Sequence, residues 1–171
     1  MTAYVALLRA VNVGSAQLPM ADLKALCEAA GFEAVRTYIA SGNALFRSDL
    51  SEAEVKSRLE AALAGYFKAD MPVMVRTAGE MAQICAANPF PEAKGSAVAA
   101  IFLDAPPPPD ALGEVRNQAD DERLQIVGRE IWVAYGAAGM GRTKLKIPAA
   151  AGGTARNANT VAKLAELAAA L

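Results

Sequence analysis

Strand-like alternation and helix-like stripes follow one another in a set order through the first half of this chain, and that order limits the fold more than any other feature. Tyr4 to Arg9 is a short apolar run of strand formers. A loop containing Asn12 and Gly14 follows over residues 10–18, and Pro19 opens a helix. Leu23, Leu26, Cys27 and Ala30 recur there at helical spacing, with Gly31 as the stop. Val35, Thr37 and Ile39 alternate with Arg36 and Tyr38, the pattern of a half-buried strand. Gly42-Asn43 is a two-residue hairpin signal, and residues 44–47 form the return strand. Ser51 with Glu54 makes a capping box for a helix striped by Val55, Leu59, Leu63 and Phe67. Residues 71–76 read as a further strand.

The order is β-α-β-β-α-β, the ferredoxin-like unit. The second half repeats it in part. Thr77 with Glu80 starts a short helix, and residues 97–103 read as a buried strand. Residues 106–109 are four consecutive prolines, a stiff spacer, and Asp110 stands ready to cap a helix after them. Residues 122–127 and 130–135 alternate as strands about a Gly128-Arg129 turn, and Val161, Leu164, Ala168 and Leu171 stripe a final helix. The expected class is therefore α+β, with two ferredoxin-like (βαββαβ-type) subdomains in tandem, the second with a weak or missing last strand. The expected division is residues 1–76 and 77–171.

Composition narrows the chemistry. A chain of 171 residues buries roughly 70% of its unfolded surface, so it folds without metal or disulfide. There is no histidine, which excludes Ser-His-Asp and Cys-His catalysis and every histidine-containing metal site. No metal or cofactor is expected. The net charge of −1 gives no general attraction to nucleic acid. Residues 104–130 are acidic on balance, whereas Arg142, Lys144, Lys146, Arg156 and Lys163 share a stretch without a carboxylate. Cys27 and Cys85 sit at apolar positions of helical patterns and read as core thiols. No apolar run reaches the ~20 residues of a membrane span, and the first residues read as a strand, so a cytoplasmic location is expected.

Five stretches resemble a widespread bacterial family known as domain of unknown function 1697. Tyr4-Val5-Ala6-Leu7-Leu8-Arg9-Ala10-Val11-Asn12-Val13-Gly14 is similar to its opening, and Met20-Ala21-Asp22-Leu23 to its first helix. Arg36-Thr37-Tyr38-Ile39-Ala40-Ser41-Gly42-Asn43 resembles its hairpin signature. Gly141-Arg142-Thr143-Lys144-Leu145 and Thr154-Ala155-Arg156-Asn157-Ala158-Asn159-Thr160-Val161 resemble its two C-terminal signatures. The resemblance implies two ferredoxin-like subdomains. It implies no activity and no catalytic residues.

Four constellations are candidates for function. Arg9, Asn12 and Gly14 offer donors on a loop, suited to an anion or an amide, or else they tie that loop to the fold. Ser41 and Asn43 flank Gly42 in a motif that turn chemistry largely explains. The sheet face bearing Arg36, Tyr38, Met74 and Arg76 is either a packing surface or a nucleic-acid or protein interaction surface. Arg142, Thr143 and Lys144, with Arg156, Asn157, Asn159 and Thr160, form a donor-rich set without carboxylates, either a solvated charged face or a site. The leading expectation is a binding module or weak enzyme for a small anionic ligand, a nucleotide or another phosphorylated metabolite. Arg142, Lys144 and Arg156 would hold the anion, and Asn12, Asn43, Asn157 and Asn159 would orient it. An interaction module using the first sheet face, and a structural adaptor without a pocket, are the alternatives. The sequence names no nucleophile or base and fixes no oligomeric state.

Overall fold

A computed structural model describes residues 1–171. It contains two four-stranded antiparallel sheets and five helices, and the chain divides into two compact units. One comprises Met1–Gln83 with Lys163–Leu171, and the other Ile84–Ala162. No helix is long and apolar enough to cross a membrane.

The first unit is built from β1 (Thr2–Leu8), α1 (Met20–Ala29), β2 (Glu33–Thr37), β3 (Asn43–Ser48), α2 (Glu52–Phe67) and β4 (Val73–Thr77), followed by α3 (Ala78–Ala86). The strand order is β2-β3-β1-β4. β1 occupies an inner position because residues 4–8 are apolar on both faces, and all five are buried. β2 lies at an edge, and a register break between Glu33 and Arg36, with Ala34 at φ 52°, blunts that edge against further pairing. α1 stops at Gly31, whose φ of 91° suits glycine. α2 starts with the expected capping box, in which Ser51 Oγ accepts from the Glu54 N–H and the Glu54 carboxylate accepts from the Ser51 N–H. The core lies between the two helices and one sheet face, where Tyr4, Ala6, Leu8, Phe46, Val73 and Val75 meet Leu23, Cys27, Val55, Leu59 and Leu63. Phe32 stacks on Phe46 at 4.1 Å between ring centroids.

The strands of this sheet also carry buried residues that alternate with those of the core. Val5, Leu7, Leu45, Met74 and Arg76 are all buried, Arg76 to 1% exposure. Only Arg36 of the expected interaction residues is exposed, and Tyr38 is half-buried.

The second unit holds β5 (Val98–Phe102), β6 (Arg123–Val127), β7 (Glu130–Ala134) and β8 (Thr154–Asn157), in the order β6-β7-β5-β8. The last strand, expected to be weak or missing, is present. It is short, but each of its four residues pairs with β5. Thr154 and Arg156 point inward and Ala155 outward, an alternation that a four-residue segment with one β-branched residue barely announces. The helix expected after Asp110 is absent. A 3₁₀ turn, Ala111–Glu114, takes its place, and the Asp110 side chain caps nothing. Four prolines before it and Gly113 within it leave too few residues to complete an α-helix. Between β7 and β8 there is only the one-turn α4 (Gly139–Arg142) and a 3₁₀ turn, Pro148–Ala150. Ile101, Leu103, Ile131 and Val133 are consequently covered by loop residues such as Leu112, Leu145 and Ile147. α5 (Ala158–Ala169) follows β8.

The two sheets correspond strand for strand, and the correspondence reaches individual residues. Arg76 on β4 lies opposite Val5, and Arg156 on β8 opposite Ala100. Each guanidinium donates to the carbonyl of the residue before it, Val75 and Ala155, at 2.9 Å. The residue after each arginine caps a helix. The Glu80 N–H donates to Thr77 Oγ1 at 3.1 Å, and the Thr160 N–H to Asn157 Oδ1 at 2.9 Å.

Candidate functional site

The two loops singled out in the first half are joined by one side chain. Asn12 adopts φ 55°, a left-handed conformation that asparagine tolerates better than most residues. Its Nδ2 donates to the Leu18 carbonyl at 3.0 Å and to the Ala40 carbonyl at 2.7 Å, and its Oδ1 accepts from the Leu18 N–H at 2.7 Å. Asn12 thus pins the 10–18 loop to the 38–42 loop and has no donor left for a ligand. Asn43 is spent in the same way. It is fully buried within β3, and its Nδ2 donates to the Tyr38 carbonyl at 2.9 Å and to Ser41 Oγ at 3.1 Å. The expectation that these two amides orient a ligand does not hold.

The two-residue Gly42-Asn43 turn is likewise corrected. The connection is the five-residue loop 38–42, closed by the Tyr38 N–H donating to the Asn43 carbonyl at 3.0 Å. Gly42 has φ 89°, and a Cβ there would run into the Val11 side chain and lie 3.1 Å from Leu8 Cβ. The glycine answers to packing between the two loops as well as to its turn. Ser41 and Gly14 are exposed, Gly14 at φ 61°, and Arg9 is half-buried at the root of its loop.

In the second unit the β6–β7 hairpin builds a cleft. Its tight turn at Gly128-Arg129 sets the register, with Arg123 opposite Ala134. The chain entering β6 (residues 117–122) therefore meets the chain leaving β7 (residues 136–144). A backbone bridge between Arg116 and Lys146, 2.9 Å in both directions, closes the two segments further along. The cleft between them measures about 230 Å³ and is lined by Asn117, Asp121, Glu122, Arg142, Thr143 and Lys144 among others.

Glu122 holds the two walls together. It is 5% exposed, and its two oxygens accept from the Ala119 N–H, at 2.9 Å, and from the Thr143 hydroxyl. Burial, and then the charge of Glu122, raise the pKa of the Tyr135 phenol above its ordinary value of 10.0. Asp121 Oδ2 accepts from the Ala137 N–H at 2.9 Å, and its carboxylate lies over Gly136, where a Cβ would displace it. Arg142 and Lys144 flank Thr143. Both are exposed, and neither makes a hydrogen bond or ion pair within the protein.

Arg156, Asn157 and Asn159 do not line this cleft. Arg156 is 7% exposed, and its Nη1 turns back along its own strand to Thr154 Oγ1 at 3.0 Å and the Ala155 carbonyl. Burial lowers its pKa to about 10, which leaves it charged at neutral pH. Asn157 caps α5, and Asn159 packs its amide against Gly95. Of the expected anion-holding residues, the structure brings Arg142 and Lys144 together and places Arg156 elsewhere. Sequence reasoning singled out Thr143 with its two cationic neighbours and missed Asn117, Asp121 and Glu122. The Gly128-Arg129 turn was the available signal, since its register dictates which residues meet beyond the two strands.

The model of the family described as "Protein of unknown function (DUF1697)" matches residues 1–132. No curated protein matches the sequence. Among solved structures, a conserved bacterial protein from Streptococcus pneumoniae is similar over 98% of this chain and 98% of its own, at 25% sequence identity and a TM-score of 0.79.

Proposed function

We propose that this chain, which belongs to the DUF1697 family of proteins of unknown function, binds a small anionic ligand between Arg142 and Lys144. One observation carries the reading: these two cations have no protein partner, and they stand beside a cleft whose buried carboxylate, Glu122, is engaged by the Ala119 N–H and the Thr143 hydroxyl. A guanidinium and an ammonium on either side of one residue suit a phosphate or carboxylate group. The volume narrows the choice. About 230 Å³ is close to the share of seven or eight liquid waters and below the ~300–1,000 Å³ of most ligand pockets. A small phosphorylated metabolite, or the phosphate end of something larger such as a nucleotide, suits a cleft of that size. Binding is the function proposed, with the Thr143 hydroxyl and Glu122 holding the two walls of the cleft together.

The reading extends to the architecture. We take the two units as ferredoxin-like halves of a duplicated chain, the second with its helices reduced to short turns. The shared strand order and the paired Arg76 and Arg156 support this. A cytoplasmic location belongs to the same proposal, and the two unpaired cysteines are consistent with a reducing compartment.

Orthophosphate, titrated at constant ionic strength, tests the site. A saturable rise in melting temperature is expected. Arg142→Ala should weaken binding roughly tenfold to a hundredfold, for the loss of ~1.5–3 kcal/mol in charge-assisted bonding. The double substitution Arg142→Ala/Lys144→Ala should abolish the rise and leave the unliganded melting temperature unchanged, as both side chains are exposed and unpaired. An equal phosphate response in the double variant would show that the anion binds elsewhere.

A further inference from the structure

We infer that the ligand of this cleft is dipolar: a short aminoalkyl phosphate, held by its phosphate at Arg142 and Lys144 and by its ammonium at Asp121. The inference rests on the proposed anion site and adds an opposite pole to it.

The lining separates by sign along the chain. The wall entering β6 carries Asp121 and Glu122, and the wall leaving β7 carries Arg142 and Lys144. Glu122 is buried and each of its oxygens accepts a hydrogen bond from one wall of the cleft. Asp121 differs. Only its Oδ2 is engaged, by the Ala137 N–H, and Oδ1 accepts nothing from the protein. The carboxylate is held over Gly136 by its bond to the next residue, Ala137. An exposed carboxylate with one oxygen unengaged, at the rim of a cleft, is a ready acceptor for an ammonium group. Asn117 adds an exposed amide that is also unbonded.

The charge balance selects the same class. The lining carries two carboxylates and two cations, so an anion bound at Arg142 and Lys144 gains at one wall only. A ligand with a positive end gains at both walls. The volume allows a phosphate group and a tether of two or three carbons, which places a primary amine within one small molecule of the phosphate.

Calorimetric titration with orthophosphate, ethyl phosphate and aminoethyl phosphate, at one pH and ionic strength, tests the inference. Aminoethyl phosphate should bind roughly tenfold more tightly than ethyl phosphate, in keeping with one added, partly exposed ion pair. In Asp121→Asn, whose amide oxygen still accepts from Ala137, the two esters should bind equally and ethyl phosphate no worse than before. Equal affinity of the two esters in the unmodified protein overturns the inference and leaves the anion site standing. So does a preference that survives Asp121→Asn. Failure of all three ligands to bind overturns the anion site as well. Should Asp121→Asn not fold, the ratio of the two esters in the unmodified protein decides alone.

Discussion

Replacing Asn12 with alanine lowers the melting temperature by roughly 10 °C, although the side chain lies in a loop and is only half-buried. The expectation follows from its partners. The change removes two hydrogen bonds donated by Nδ2, to Leu18 and Ala40, and one accepted by Oδ1 from Leu18. Each contributes about 1 kcal/mol net. Leu18 is fully buried, so its N–H loses a partner that water cannot easily replace, which adds about 1 kcal/mol more. The total, ~3–4 kcal/mol, corresponds to the quoted shift for a chain of this length. Alanine is also strained at φ 55°. Asn12→Gly relieves that strain and recovers up to about 1 kcal/mol. Asn12→Asp keeps the acceptor for Leu18 but turns a carboxylate toward the Leu18 and Ala40 carbonyls, so it does no better than alanine. Thermal unfolding of the three variants gives the order, and hydrogen exchange at the Leu18 amide locates the loss. An alanine variant melting within a degree or two of the parent would show that the loops hold together without the asparagine.

That loop pair also marks the limit of what the sequence discloses. Residues whose role is local are legible. The Ser51–Glu54 and Thr77–Glu80 boxes, the Gly31 stop and the Gly128 turn each depend on neighbours within four residues, and each forms as expected. Gly42 and Asn43 defeat the same reasoning because their partners are distant. Val11 fills the space beside Gly42, and Asn43 is drawn into β3 by pairing with Leu7. The second unit shows the converse failure. Asp110 has the chemistry of a cap, but no helix follows because the apolar residues that cover β5 and β7 come from three separate loop segments. β8 has little strand propensity of its own and forms because β5 offers an open edge to it. In the candidate site the cations were legible as a run without carboxylates. The opposing carboxylates were not, since hairpin register brings them across the cleft, and register is a property of the pair of strands.

Cys27 makes the stability of the protein fall with alkaline pH, more steeply than its tyrosines alone would. The side chain is fully buried on α1, in the core it was expected to join. Burial, with a smaller contribution from Glu28, pushes its thiol from the ordinary 9.0 up to about 12. In the unfolded chain the thiol ionises at its ordinary value, so between pH 9 and 12 the unfolded state binds fewer protons than the folded one. The contribution is therefore fully present below about pH 9 and is lost as pH rises toward about 12, at ~1.4 kcal/mol per pH unit and on the order of 4 kcal/mol in all. The Tyr4 and Tyr135 phenols are shifted up from 10.0 chiefly by burial and act in the same direction. Cys27→Ala isolates the thiol. At neutral pH the variant is less stable by about 1–2 kcal/mol, for the lost sulfur contacts and the small cavity left behind. Above pH 9 its stability falls more slowly than the parent's, because only the tyrosines and other shared groups still titrate. The two curves should cross near pH 10, and the variant should be the more stable protein at pH 11. Urea unfolding of both proteins at half-unit steps from pH 8 to pH 11, under reducing conditions, measures the difference directly. Curves that stay parallel across that range would mean that the Cys27 thiol ionises in the folded protein as readily as in the unfolded chain, and that the core around α1 admits solvent.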